Sequence, residues 1–201
     1  VATDPNEASR SSSAAEVRHR AANTLQLLGA LARMRSQKAA EPEARRQLLW
    51  LADAVGSLGA LEQKRGEGGV AFAPYLAEMA PIWRRRHSGC LAEVTVEADP
   101  LMVPDHAAST LGLVVQELVA NAMSHGFPDG RAGQVRIRFA ELPDGRRELS
   151  VSDDGVGFDP TLPAGRERFG LWFVRSLASQ VRGEFILTTR PGVVGVLRFP
   201  A

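Results

Sequence analysis

The stretch Gln116-Glu117-Leu118-Val119-Ala120-Asn121-Ala122-Met123-Ser124-His125-Gly126, read together with Asp153-Asp154-Gly155-Val156-Gly157-Phe158, decides how this chain folds. The first run closes a helix predicted over 104–124. Its apolar residues Leu111, Val114, Val115, Leu118, Ala122 and Met123 recur at helical spacing and form a buried face. Glu117, Asn121 and His125 follow one another at i, i+4 and i+8 along the border of that face. Polar groups beside a core face can line the floor of a cleft. The second run puts a carboxylate at the end of a predicted strand and follows it with glycines, which let a ligand approach the backbone closely.

Outward from these two runs the chain reads as mixed α and β. A helix is expected over 73–86 and a strand over 91–97. A hairpin of strands 134–140 and 147–152 turns at Pro143-Asp144-Gly145. A helix follows over 170–180, then two closing strands, 183–189 and 193–199. Hairpin-linked strands with helices on one side predict a two-layer α/β sandwich within an α+β fold.

The N-terminal part is different. Residues 1–12 are polar and Ser-rich and read as a disordered lead. Ser13-Ala14-Ala15-Glu16 resembles a capping box that opens a helix running to about Lys38. Pro42 suits the first turn of a second helix. Gly66-Glu67-Gly68-Gly69 is the best linker candidate, so the chain divides into 13–66 and 70–201. An antiparallel helical hairpin cannot cover both of its apolar faces. Four helices can, so a homodimer built as a four-helix bundle is the expected solution, although packing against a further domain would serve too.

On the first helix Val17, Ala21, Thr24, Leu28, Leu31 and Ala32 share a face, and His19 lies roughly opposite with Glu16, Asn23 and Gln26. An imidazole outside the core can accept a phosphoryl group on one nitrogen while the other is oriented by a hydrogen bond. Glu16, one turn earlier, can fix the tautomer or serve the capping box. Asn23, one turn later, can orient a water or an incoming carboxylate.

In the second part an Asn121 oxygen is a suitable hard ligand for Mg²⁺, which uses few protein groups. Glu117 can orient water or accept a proton. Asp153 can accept a hydrogen bond from an adenine amino group. Gly170 places a helix N-terminus near phosphates. Arg166 and Arg168 can neutralise phosphate charge or remain solvated.

These motifs together resemble the bacterial sensor histidine kinases, most of all the subgroup whose acceptor box reads HRxKNxLQ after a Glu. Here the box is His19-Arg20-Ala21-Ala22-Asn23-Thr24-Leu25-Gln26. The resemblance covers nearly all of the chain from Glu16 onward. It implies that His19 is the phosphorylated residue and Asn121 the magnesium-binding one. It further implies that Asp153, Gly155 and Gly157 bind adenine and that Gly170 belongs to the second glycine box. The implied fold is a dimeric helical hairpin plus a Bergerat-type ATP-binding domain. The implied activity is autophosphorylation of His19 from Mg-ATP and transfer to an aspartate on a response-regulator receiver domain. Ala22 and Ser124 stand where the family has Lys, and Gly192-Val193 where it has Gly-Thr. Those departures leave two rivals. One is a histidine phosphotransfer protein with a degenerate catalytic-like domain. The other is an ATPase or serine kinase of the same nucleotide fold.

Composition bounds the alternatives. The chain has 201 residues, 44% hydrophobic and 23% charged, with net charge +1, so no strong field favours nucleic acid or an anionic membrane. Cys90 is alone, which removes a disulfide framework and fits a reducing, cytoplasmic setting. No run approaches the roughly 18 apolar residues of a membrane span. The chain begins at Val1 rather than Met, as expected of a piece of a longer protein.

Overall fold

The structure, a computed structural model, describes residues 5–158, 167–189 and 191–201. It divides between Arg65 and Gly66 into two compact units.

The first unit is a hairpin of α1 (Pro5–Lys38) and α2 (Pro42–Gln63). Glu41 is the extended N-cap of α2, and Pro42 sits in its first turn, where its missing N–H costs nothing. Helix α1 begins at Pro5 rather than Ser13, so residues 5–12 of the expected disordered lead are helical. Residues 1–4 lie outside the described residues. Glu16 is therefore mid-helix, and the capping box does not form.

The seam between the two helices also differs from expectation. Ala22, Gly29, Ala32 and Ser36 are buried against Ala52, Ser57 and Gly59. A Cβ on Gly29 would stand 3.2 Å from the Ala52 carbonyl oxygen, and one on Gly59 would stand 3.5 Å from Leu25 Cβ. Small residues let the backbones approach closely. The larger Val17, Leu28 and Leu31, assigned from spacing to a core face, remain exposed, as do Leu27 and Met34.

The second unit is the expected two-layer sandwich. Its five-stranded sheet has the order β3-β5-β6-β8-β7. The strands are β3 (Ala92–Ala98), β5 (Gly133–Glu141), β6 (Arg147–Asp153), β7 (Glu184–Thr188) and β8 (Val193–Phe199). Only the β3–β5 pair is parallel. Helices α3 (Phe72–Arg86), α4 (Asp105–Asn121) and α5 (Glu167–Gln180) pack against β3, β6 and β7 respectively.

Alternation along the strands turns Val135, Ile137, Phe139, Leu149, Val151, Leu197 and Phe199 inward, and all are buried. The other face is polar, with Arg198 Nε 2.9 Å from Glu148 Oε2. The Phe72 ring meets Phe139 edge-on at 5.1 Å and so seats α3 on the sheet.

The expected linker is not loose. Arg65–Gly66 (β1), Gly69–Ala71 (β2) and Met102–Val103 (β4) make a small sheet of order β1-β2-β4, with Val70 opposite Val103. Gly69 is buried there at φ +127°, where a Cβ would collide with the Val103 carbonyl. Among the described residues no helix is long and apolar enough to cross a membrane.

Candidate nucleotide and phosphoacceptor sites

The cleft of the second unit forms where α4 ends above the last row of the sheet. Helix α4 does not stop at Asn121 but widens into a π-helical turn, Ala122–Gly126. A turn closed by i→i+5 bonds holds more residues than an α turn, and such turns recur at functional sites. Here it lets Asn121, Ala122, His125 and Gly126 all face the same opening. Glu117 is buried at 6% exposure one α turn earlier, and Asn121 Nδ2 donates to its Oε1 at 3.2 Å.

Asp153 faces this helix end from the sheet. Val135, Asp153 and Val193 form one row across β5, β6 and β8, next to the buried row containing Ile137 and Val151. Alternation thus turns a carboxylate toward the core side, where an apolar residue would be expected. Burial pushes the Asp153 carboxyl above the ordinary aspartate range, and the neighbouring Asp154 charge adds to this. Hydrogen bonds from the backbones of Gly155 and Val193 act in the opposite direction. The Gly155 N–H donates to Asp153 Oδ1 at 2.9 Å.

Two glycines make the site possible. A Cβ on Gly155 would collide with the Gly126 carbonyl oxygen, and one on Gly192, at φ +66°, with the Asp153 carbonyl oxygen. The Val156 N–H then donates to the Gly126 oxygen at 2.9 Å, which stitches the Asp153 loop to the π turn. Gly157 lines the cleft at φ +64°. Asp154 works outside it. Its Oδ1 accepts the Gln134 N–H at 2.7 Å, and Arg131 donates to its carbonyl at 3.0 Å.

The cleft is open, with an apolar floor from Leu118, Val151, Leu187 and Val193 that suits a flat aromatic ligand. Gly170, in the first turn of α5, lies so close to Glu117 that a Cβ would collide with the carboxylate, and it adjoins the Asn121 amide as well. Asn121, Asp153 and Gly157 thus line one cleft, while Gly155 packs on Gly126 and Gly170 on Glu117 beside it. Arg166 lies outside the described residues, and so does the side chain of Arg168. His125, which the sequence places at i+8 from Glu117 on the same border, lines the cleft, and so do Phe158, Leu171 and Leu187, for which the sequence carried no such signal.

On the first unit His19, Glu16 and Asn23 are exposed along one side of α1. The expected partners change places. Arg20 holds Glu16, with Nη2 2.5 Å from Oε1, while the Asn23 amide stands 3.2 Å from His19 Nδ1.

A family model described as histidine kinase-like ATPase domain matches residues 85–192, more than half of the chain and most of the cleft described above. The chain belongs to that family. Among curated relatives, the chain is 29% identical over 183 residues to blue-light-activated histidine kinase 2 of Erythrobacter litoralis, covering 87% of the chain and 52% of that protein. It is 28% identical over 180 residues to the sensor histidine kinase PdtaS of Mycobacterium tuberculosis, covering 82% of the chain and 34% of the relative. The chain thus spans about half the length of the first relative and about a third of the second. The solved histidine kinase domain of the Erythrobacter litoralis EL346 blue-light activated histidine kinase superposes with a TM-score of 0.70 at 24% identity, over 92% of this chain and 93% of that one. That likeness bears on the fold and spans both units.

Proposed function

We propose that this chain is the catalytic core of a two-component histidine kinase. In this reading 13–66 is the dimerising phosphotransfer hairpin and 70–201 the ATP-binding domain. His19 takes the γ-phosphoryl group of ATP and passes it to an aspartate on a response-regulator receiver domain. The observation that carries the reading is a single cleft where Asn121 and Asp153 face each other, in a chain that also presents an exposed imidazole on a helical hairpin.

Each residue has a chemical task. Asp153 accepts from the adenine amino group, over the apolar floor. The Asn121 amide oxygen is the one protein ligand that Mg²⁺ needs if it keeps most of its waters. Among the described residues no cluster of three His, Cys, Asp or Glu offers a denser metal site. Bound Mg²⁺ would supply charge neutralisation on the phosphates. Glu117 fixes the Asn121 amide and can accept a proton. Gly170 brings the first turn of α5, with its unpaired N–H groups, to the phosphate end. Arg166 and Arg168 remain candidates for phosphate charge. Catalysis of this kind is mainly positioning and electrostatics.

The test is incubation of the chain with γ-labelled ATP and Mg²⁺. Acid-labile, base-stable label should appear on the parent, vanish in His19→Gln and fall by at least about tenfold in Asn121→Ala. Label that survives His19→Gln would support a serine kinase or ATPase. A parent that takes no label from ATP but accepts it from a phosphorylated receiver domain would be the phosphotransfer protein.

A further inference from the structure

We infer that Asn23, not Glu16, sets the tautomer of His19, and that Arg20 keeps Glu16 out of that role. The inference rests on the proposed reading of His19 as phosphoryl acceptor and names the residue that prepares it.

Glu16, His19, Arg20 and Asn23 fall at i, i+3, i+4 and i+7 on α1, so all four share one stripe. From position 16 a carboxylate can reach either i+3 or i+4. The guanidinium at i+4 gains a charge-assisted hydrogen bond that a neutral imidazole at i+3 cannot match. The structure has that outcome, with Arg20 Nη2 2.5 Å from Glu16 Oε1. His19 instead meets the Asn23 amide at Nδ1, 3.2 Å away. Among the described residues nothing else bonds the ring, which leaves Nε2 facing outward as the nitrogen that a phosphoryl group can reach.

An amide has two ends of nearly equal shape and opposite hydrogen-bonding sense. With Nδ2 toward the ring, as here, Asn23 donates to Nδ1 and the ring proton sits on Nε2, so Nε2 has no lone pair to offer. A half-turn of the amide brings Oδ1 to the same place without displacing other atoms. Oδ1 then accepts from Nδ1–H, and the Nε2 lone pair points outward. In the transfer step that lone pair forms the N–P bond while the bond between Pγ and the β–γ bridging oxygen breaks, and the electron pair leaves with ADP. The ring keeps its Nδ1 proton and becomes cationic, and Oδ1 stabilises that charge. Asn23 is thus a positioning residue.

The experiment uses the full chain with 15N-labelled histidine. Imidazole 15N shifts of His19, recorded without nucleotide, report the tautomer ratio and need no kinase activity. Autophosphorylation rates give kcat and the KM for ATP. Asn23→Ala should move the tautomer ratio to that of free imidazole and lower kcat by about tenfold or more, with KM changed less than about twofold. Asn23→Asp keeps an acceptor at Nδ1 and should restore most of kcat. Glu16→Gln should leave the ratio at the parental value and kcat within about threefold, whereas Arg20→Ala frees the Glu16 carboxylate to accept from Nδ1–H and should move the ratio toward the Nδ1-protonated form. An unchanged ratio in Asn23→Ala, or a larger change in Glu16→Gln, overturns the inference. If the parent takes no label from ATP while Asn23→Ala still moves the ratio, the kinase reading fails and the positioning role stands.

Discussion

Asp153 occupies a place where the sheet's alternation asks for an apolar side chain, between Val135 and Val193 on the inward row. Its folded-state pKa is raised, chiefly by burial. The folded protein therefore binds more protons than the unfolded chain at pH values between the ordinary aspartate range, about 4, and the raised value. Stability is greatest below that window and falls as pH rises through it. The charged carboxylate is thus a liability to the folded protein near neutrality, a cost that the proposed adenine contact would offset. Asp153→Asn removes the charge and keeps an oxygen for the Gly155 N–H. It should raise Tm at pH 7 to 8, and the gain should shrink to nothing below about pH 4. The same variant should weaken ATP binding by about tenfold or more, because a charge-assisted acceptor is lost. Thermal melts across pH, paired with calorimetric titration of ATP, check both arms. A variant less stable than the parent at pH 8 would refute the burial argument. The place of Asp153 at the cleft was visible in the sequence because an acid before two near glycines departs from strand chemistry. The partner of Glu16 was not visible, because i+3 and i+4 are both within reach of a carboxylate and only the competing charge decides.

Helix α4 positions the cleft, and its own rotation is fixed by one buried bond. The Trp83 indole N–H donates to Gln116 Oε1 at 2.7 Å, with both residues buried. Gln116 precedes Glu117 directly, so the bond that ties α3 to α4 also sets which way Glu117 and Asn121 face. Replacing Gln116 with Met keeps the volume and leaves the indole N–H without an acceptor. The expected cost is about 1–3 kcal/mol, seen as a fall in Tm of roughly 3–10 °C, with a rise in the KM for ATP. An unchanged melt would mean that the bond does not hold the helices in register. The face of α4 that packs on the sheet was legible because Leu111, Val114, Val115 and Leu118 keep a helical period, and all four are buried. The hairpin of β5 and β6 was legible because Gly145, at φ +80°, closes it. The strands β1, β2 and β4 were hidden, since two or three residues are too few to show a period. Gly69 then read as linker, although it is required by close approach to Val103. The π turn after Asn121 was also hidden, because one extra residue in a turn leaves no mark on apolar spacing.

At the scale of the whole molecule, the hairpin leaves its larger apolar residues without cover. Leu27, Leu28, Leu31 and Met34 are 72%, 50%, 52% and 61% exposed, because Ala22, Gly29 and Ala32 take the seam with α2. The sequence put Val17, Leu28 and Leu31 on one face with Ala32, but apolar spacing does not tell which neighbouring residues meet α2. Close backbone approach, set by the glycines, decided in favour of the small ones. A contiguous apolar stripe of this kind calls for a partner, and a second copy of the same hairpin offers a matching stripe and completes a four-helix core. Sedimentation of the parent should therefore give twice the chain mass of 21.6 kDa at micromolar concentration. Leu28→Glu combined with Leu31→Glu would bury unpaired charges in each protomer's contact, at a cost of several kcal/mol. That cost weakens the dimer by about a thousandfold or more. The variant should sediment at 21.6 kDa with an unchanged far-UV spectrum, since the small-residue seam of the hairpin is untouched. A parent that sediments as a monomer at tens of micromolar would sink the dimer, and the leucine stripe would then have to be covered by something other than a second copy.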